Sequence, residues 1–352
     1  MTKGRRLRIV THPLWQLSLL RLREIAREPG TLFWVFGFPV LLAAALGVAF
    51  SNQSKQPVVV GVLTGAPPSV VETLRAAGID ARPLPESAAR ERLRNGQLQL
   101  VVAGGGGGSP VEYRFDPMRP EARLARAVVD QALQRAAGRR DPLAAADRPV
   151  QEPGSRYIDF LVPGLIGMNV MQGSMWGLGW VIVNMRVRKV LKRLLATPMR
   201  RWHLLLSQVS GRMLVIPFEV GVLLLFARFT FHVQMNGSWL ALAAIVTLGA
   251  LSFSGLAILV SSRAQNSETV SGLMNLVMLP MFMLSGVFFS STRFPEVLRP
   301  AVALLPLTAL NDALRAVITD GVSLATQIPA LLILTLWGVV GWLVGLRAFR
   351  WG

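Results

Sequence analysis

Residues 229–262 read FTFHVQMNGSWLALAAIVTLGALSFSGLAILVSS, a run without a single Asp, Glu, Lys or Arg. A helix rises 1.5 Å per residue, so about 20 apolar residues cross the ~30 Å hydrocarbon core of a bilayer. This run is long enough, and so are four others free of charge, at 29–54, 160–185, 269–292 and 321–346. The cores predicted to cross are 31–50, 160–183, 238–260, 270–290 and 328–346. A sixth stretch, 204–229, is apolar apart from Arg212, Glu219 and Arg228. Charges at membrane depth are rare and face protein or water, and apolar sequence flanks Glu219 on both sides, so this stretch is a span too. The chain reads as an α-helical membrane protein with six transmembrane helices.

The composition narrows the function classes. Of the 352 residues, 52% are apolar and 16% charged, against roughly 25% charged in soluble domains. There is no cysteine and only three histidines, His12, His203 and His232, far apart in sequence. Disulfides, thiolate sites and cysteine nucleophiles are thereby excluded, and no metal-ligand set or catalytic residue can be nominated.

The net charge of +18 is a matter of topology. Seven Lys/Arg precede the first span, seven more lie between 186 and 201, Arg263 follows the fourth span, and Arg347 and Arg350 follow the sixth. With six spans all of these fall on one side, and the rule that basic loops stay inside makes both termini cytoplasmic. A nucleic-acid footprint would need a basic stripe with stacking aromatics on a soluble face, so no nucleic-acid partner is expected. The first span begins too late and lacks a clear small-residue cleavage site, so it reads as a retained anchor rather than a signal peptide.

Four regions follow. Residues 1–30 form a cytoplasmic arm in which 14–28 is an amphipathic interfacial helix, anchored by Trp15 and ending near Arg27. Residues 31–51 are the first span. Residues 52–156, with 15 basic and 11 acidic side chains, form an external domain between spans one and two. Strands are predicted near 57–63, 79–84, 98–103 and 111–115, alternating with helices at 68–77, 86–95 and 119–137, which makes a small mixed α/β layer. Gly104–Gly108 lies between two of these strands; no Lys-Ser/Thr follows it, so a turn is favoured over a phosphate cradle. Residues 157–350 hold the other five spans, a cytoplasmic loop at 185–203 and a proline-broken amphipathic stretch at 295–319.

Within the spans, Glu219 is a functional candidate, the alternative being a buried charge satisfied by its neighbours. Arg212 lies on the same helical face, but two turns away it is expected to be too far for a direct pair without help. Asn169 and Gln172, among Gly164, Gly167, Gly173 and Gly177, mark close helix packing or a polar seam.

Several motifs carry a family resemblance. Arg27–Pro39 reads REPGTLFWVFGFP, Tyr157–Gly177 reads YIDFLVPGLIGMNVMQGSMWG, Leu191–Met199 reads LKRLLATPM, and 278–317 ends in NDALRAV. Together with one long domain between spans one and two, they resemble ABC-2-type transporter permeases. The resemblance implies the membrane subunit of an ATP-driven exporter in a bacterial cytoplasmic membrane. The chain has no Gly-x-x-x-x-Gly-Lys-Ser/Thr loop, so it binds no cofactor itself. ATP and Mg belong to a separate ATPase, two copies of which join two permease chains, identical or different. The coupling contact implied is Leu191, Lys192, Arg193, Leu194 and Leu195 with Thr197, Pro198 and Met199; the leucines at i, i+3 and i+4 give an apolar stripe suited to a groove. Asn169, Gln172 and Glu219 are the pathway candidates, and 295–319 is the expected external re-entrant hairpin. A membrane-anchored ligand sensor is the rival, although the short cytoplasmic segments offer no output domain. A membrane enzyme would need clustered polar residues where only Asp159, Glu219 and Asp312 stand isolated.

Overall fold

In the computed structural model, which describes residues 27–51, 58–104, 110–140, 143, 156–195 and 201–349, each of the six apolar runs is helical. The chain divides into a helical unit, Met1–Ser51 with Gln151–Gly352, and an α/β unit, Asn52–Val150. The helical unit begins with α1 (Pro29–Leu32), a π-helical turn (Phe33–Gly37) and α2 (Phe38–Ser51) in one continuous stretch. Pro29 starts it, where a missing N–H costs nothing.

The α/β unit follows the residue pattern closely. Its elements are β1 (Val59–Leu63), α3 (Pro68–Ala76), β2 (Asp80–Leu84), α4 (Glu86–Arg94), β3 (Leu100–Gly104), β4 (Val111–Arg114) and α5 (Pro120–Ala136). The sheet order is β2-β1-β3-β4. β1 runs parallel to β2 and β3, because helices connect those strands, and β4 returns antiparallel to β3. Central β1 and β3 are the apolar strands, and Pro83 sits on edge strand β2, where a lost donor is tolerated. Val60, Val62, Leu74, Leu100, Val102 and Val129 form its core. Gly104 has φ +75°, a conformation open to glycine where β3 turns toward β4. The Tyr113 hydroxyl donates to Asp130 Oδ1 at 3.0 Å, tying β4 to α5. Burial, reinforced by that bond and by the Asp130 charge, pushes the phenol up to about 12. Residues 105–109 lie outside the described ones.

The chain re-enters the helical unit at α6 (Tyr157–Ser174), which continues through a second π-helical turn (Met175–Trp180) into α7 (Val181–Val187). Then come α8 (Val190–Leu195), α9 (Arg201–Phe231), α10 (Trp239–Ser261), α11 (Ser267–Leu284), α12 (Arg299–Ala303), α13 (Pro306–Ile318) and α14 (Ile328–Ala348). Polar caps start two of the long helices: Ser238 Oγ accepts from the Leu240 N–H, and Asn266 Oδ1 from that of Thr269. α11 stops at Leu284, short of the predicted 290, where Gly286 turns the chain at φ +68°.

Five helical stretches are long and apolar enough to cross a membrane: Pro29–Phe50, His203–Phe231, Trp239–Ser261, Ser267–Leu284 and Leu324–Ala348. The predicted span at 160–183 is helical but is not among them. Its helix carries Asp159, Asn169 and Gln172, and 14 of the 18 residues of α6 are buried. It packs against α2, α9, α10 and α13, at the centre of the unit. Asp159 takes a two-pronged bond from Arg156, at 2.8 and 2.9 Å, and Arg156 also donates to the Phe231 carbonyl at the end of α9.

The proline-broken stretch forms two short helices, with Pro306 opening α13. Ten of the thirteen α13 residues are buried, against α6, α10 and α14. Asn311 donates to the Ser285 carbonyl, and the Arg315 guanidinium lies 3.8 Å over the Phe160 ring while donating to the Gly286 carbonyl. Arg186, at the end of α7, donates to the carbonyls of Ser261, Ser262 and Ala264 at the α10 C-terminus, where a cation suits the helix dipole.

α10 and α14 meet backbone to backbone. A Cβ at Gly341 would lie 2.6 Å from the Gly255 carbonyl carbon, and one at Gly345 would lie 2.8 Å from the Leu259 nitrogen. Small residues permit this close approach in membrane helices. Gly341→Leu is expected to destabilise the protein by about 1–3 kcal/mol through overpacking, read as a lower melting temperature in lipid discs. Gly272→Ala, where a Cβ meets open space, should leave the melting temperature unchanged or raise it slightly.

Candidate functional site

A cavity of about 810 Å³ opens within the helical unit. Four helical stretches wall it: the start of the first one, the second half of the α6–α7 stretch, the first half of α9, and α11. Asn169, Gln172 and Glu219, the three polar residues singled out within the spans, all line it. Nothing in their spacing along the chain fixes that convergence; the packing of α6 against α9 brings it about.

The polar groups form a chain across three helices. The Asn169 amide donates to the Val35 carbonyl at 3.3 Å, linking α6 to the first π-turn. The Asn169 carbonyl accepts from Arg212 on α9, and the two terminal nitrogens of Arg212 reach the two oxygens of Glu219. This corrects the expectation that Arg212 stands too far away for a direct pair. Seven residues rise about 10.5 Å and return to nearly the same face, and an extended arginine together with a glutamate closes that distance. The incentive is desolvation. The Arg212 side chain is 10% exposed and that of Glu219 only 1%, and a buried charge without a partner costs several kcal/mol. Gly173 provides the room, because a Cβ there would run into the Arg212 guanidinium.

Aromatic residues supply the rest of the wall. Trp34 belongs to the first π-turn, Trp176 and Trp180 to the second, and Phe282 to α11. A π-turn inserts one residue into the helical repeat and re-aims the side chains around it; here both π-turns border the same cavity. The Trp176 and Trp180 rings are 6.0 Å apart, inclined at 52°. Sequence reasoning missed these rings. The available signal was the spacing Asn169, Gln172, Trp176, Trp180, Asn184, which recurs every three or four residues on one helix face.

The loop candidates are divided. Leu191 is 2% exposed and belongs to the core of the helical unit, so its side chain is not offered to a partner and the three-leucine stripe does not hold as read. A basic loop beside an apolar bundle folds its first leucine inward because burial there is available within the chain. Lys192 and Arg193 are exposed. The side chains of Leu194 and Leu195 lie outside the described residues, as do Thr197, Pro198, Met199 and residues 1–26 of the arm with Trp15. Arg27 is exposed at the start of the described chain. Among the described residues no group of His, Asp and Glu is placed to hold a metal ion.

Comparison with known proteins adds the family. The inner membrane transport permease YadH of Escherichia coli K12 is 26% identical over 167 residues, covering 46% of this chain and 63% of that protein. ABC transporter G family member 20 of Dictyostelium discoideum is 28% identical over 174 residues, 49% of this chain and 24% of its own length. The probable multidrug ABC transporter permease YbhR of E. coli K12 is 22% identical over 172 residues, 49% of this chain and 47% of that protein. The matched segment thus spans less than two thirds of each of these relatives. Residues 29–347 match the profile of a family described as ABC-2 family transporter protein. With nearly the whole of its length matched and its apolar helices packed as a membrane bundle, this chain belongs to the ABC-2 family of transporter proteins.

Proposed function

We propose that the chain is the membrane-spanning permease subunit of an ATP-driven exporter, working by alternating access with a separate ATPase subunit. The observation that carries this reading is the position of the cavity along the helices. Its walls come from 28–35, 169–184, 208–219 and 275–282. The first three of these lie next to arginine-bearing segments, the arm and the 186–201 connection on either side, while 275–282 lies in the half of α11 away from Arg263. The basic segments stay on the cytoplasmic face, so the cavity is open where cargo is loaded before export.

On this reading the buried helix Tyr157–Val187 crosses the membrane as the sixth span, shielded from lipid by its neighbours. Both termini are cytoplasmic, the α/β unit is external, and α12 and α13 form the re-entrant hairpin at 295–319, all in a bacterial inner membrane. Two permease chains and two ATPases make the working assembly, with ATP and Mg on the ATPases. The coupling contact is the 185–203 loop. Because Leu191 is turned inward, Leu194 and Leu195 become its apolar anchors, with Lys192 and Arg193 at the rim.

Three experiments test this. The chain has no native cysteine, so single cysteines report cleanly: replacements at Ser109 and Ser323 should react with an impermeant thiol reagent outside intact cells, and one at Thr197 should not. Labelling of position 197 from outside overturns the topology. Glu219→Ala should destabilise the protein by about 3–5 kcal/mol by stranding Arg212. The double replacement Arg212→Met with Glu219→Leu should recover thermal stability while export stays impaired; full export in the double variant removes the pair from the pathway. Finally, burying one leucine is worth roughly 1.5–3 kcal/mol. Leu194→Asp should therefore lower co-purification with the ATPase by about tenfold or more while insertion remains normal, and Leu17→Asp in the arm should be milder. Wild-type assembly in Leu194→Asp would leave the loop a topology signal alone.

A further inference from the structure

We propose that the cavity recognises a planar aromatic monocation, a specificity that rests on reading the cavity as the cargo site. Its volume of about 810 Å³ is within the range of pockets that enclose a single drug-sized molecule. Three indoles and a phenyl ring, Trp34, Trp176, Trp180 and Phe282, are presented by three separate helical stretches. A flat ring system stacks on such walls, and the negative faces of indoles attract a cation held against them.

The charges decide the sign. Among the described residues the lining carries one cation, Arg212, and two carboxylates, Glu28 and Glu219. Arg212 already spends both terminal nitrogens on Glu219, so that pair is neutral as a unit. Glu28 remains at the exposed rim, where it accepts one hydrogen bond, from Thr31 Oγ1 at 2.8 Å. The lining residues themselves therefore carry a net negative charge against aromatic walls, which favours a cation over an anion inside the cavity, with exposed Arg27 beside Glu28 at the rim. Buried Arg212 Nε has no partner in the structure, leaving one N–H donor for a carbonyl or ether oxygen on the ligand. Neutral amides complete the lining, Gln172 and Asn184 from the α6–α7 stretch and Gln208 from α9, and they serve polar substituents without adding charge.

The test uses the purified full chain in lipid discs of phosphatidylcholine, with empty discs subtracted, and two dyes that share a xanthene skeleton. Rhodamine 6G is a monocation and fluorescein an anion at pH 8. Rhodamine 6G should bind saturably, read by fluorescence anisotropy, and fluorescein should not. Replacing Trp176 and Trp180 together by Leu should weaken rhodamine binding by about tenfold, and replacing both by Phe should restore most of it. Glu28→Gln, at an exposed position, should weaken it several-fold without changing the melting temperature. Absence of saturable rhodamine binding, equal affinity for fluorescein, or wild-type affinity in the folded Trp-to-Leu variant overturns the proposal. No ATPase is needed for this measurement. A chain that binds the dye but supports no export in cells would overturn the exporter reading and leave the specificity standing.

Discussion

The helical unit is organised by the need to keep one polar helix away from lipid. Tyr157–Val187 carries a carboxylate, three amides, an arginine and a π-helical turn, and none of these is at ease in hydrocarbon, where every polar group needs a partner within the protein. The answer is enclosure. α2, α9, α10 and α13 surround it, and two of its buried polar side chains are met from a neighbour or from the chain beside it: Asp159 by Arg156, and the Asn169 amide by the Val35 carbonyl. Because α2, α9 and α10 expose large apolar side chains such as Leu41, Phe218 and Leu240, they can meet lipid while the central one does not. The cavity is what remains where that enclosure is incomplete.

Much of this was legible in the residues. Runs without charge located the long apolar helices other than α9, because a charge inside a bilayer is costly enough to be excluded from nearly all of a span; α9 was found as an apolar stretch broken by three charges. The alternation of β-branched runs with amphipathic helices gave the strands and helices of the α/β unit, since its central strands, buried on both faces, are continuous apolar runs. Pro306 placed the break between α12 and α13, and Pro300 the start of α12. The family could be suspected from a handful of motifs before any coordinates were considered.

What stayed hidden depends on through-space geometry. No propensity distinguishes a π-turn from the α-helix around it, so the re-aiming of Trp34, Trp176 and Trp180 left no trace in the hydropathy pattern. Glu219 was visible as an oddity, but its partner was misjudged because residue spacing measures backbone rise and ignores the reach of an arginine side chain. Leu191 shows the opposite error. Periodicity gave it the same face as Leu194 and Leu195, yet the bundle next to it offered burial, and a leucine takes whichever burial is nearer. A helix face is a property of one element, and its occupant is decided by what packs there.

The pairing of Arg212 with Glu219 has a consequence for how the protein is made. Spans leave the ribosome one after another, and a helix bearing a lone charge must wait for a partner helix before it can settle in the bilayer. α9 carries this pair of opposite signs seven residues apart on one face, so its buried middle can enter as an electrically neutral segment before α10, α11 or α14 has been synthesised, with Arg201 and Arg228 toward its two ends. The pair removes one electrostatic obstacle from the order of assembly. The same side chains that later line a cavity also let their helix cross the membrane without assistance.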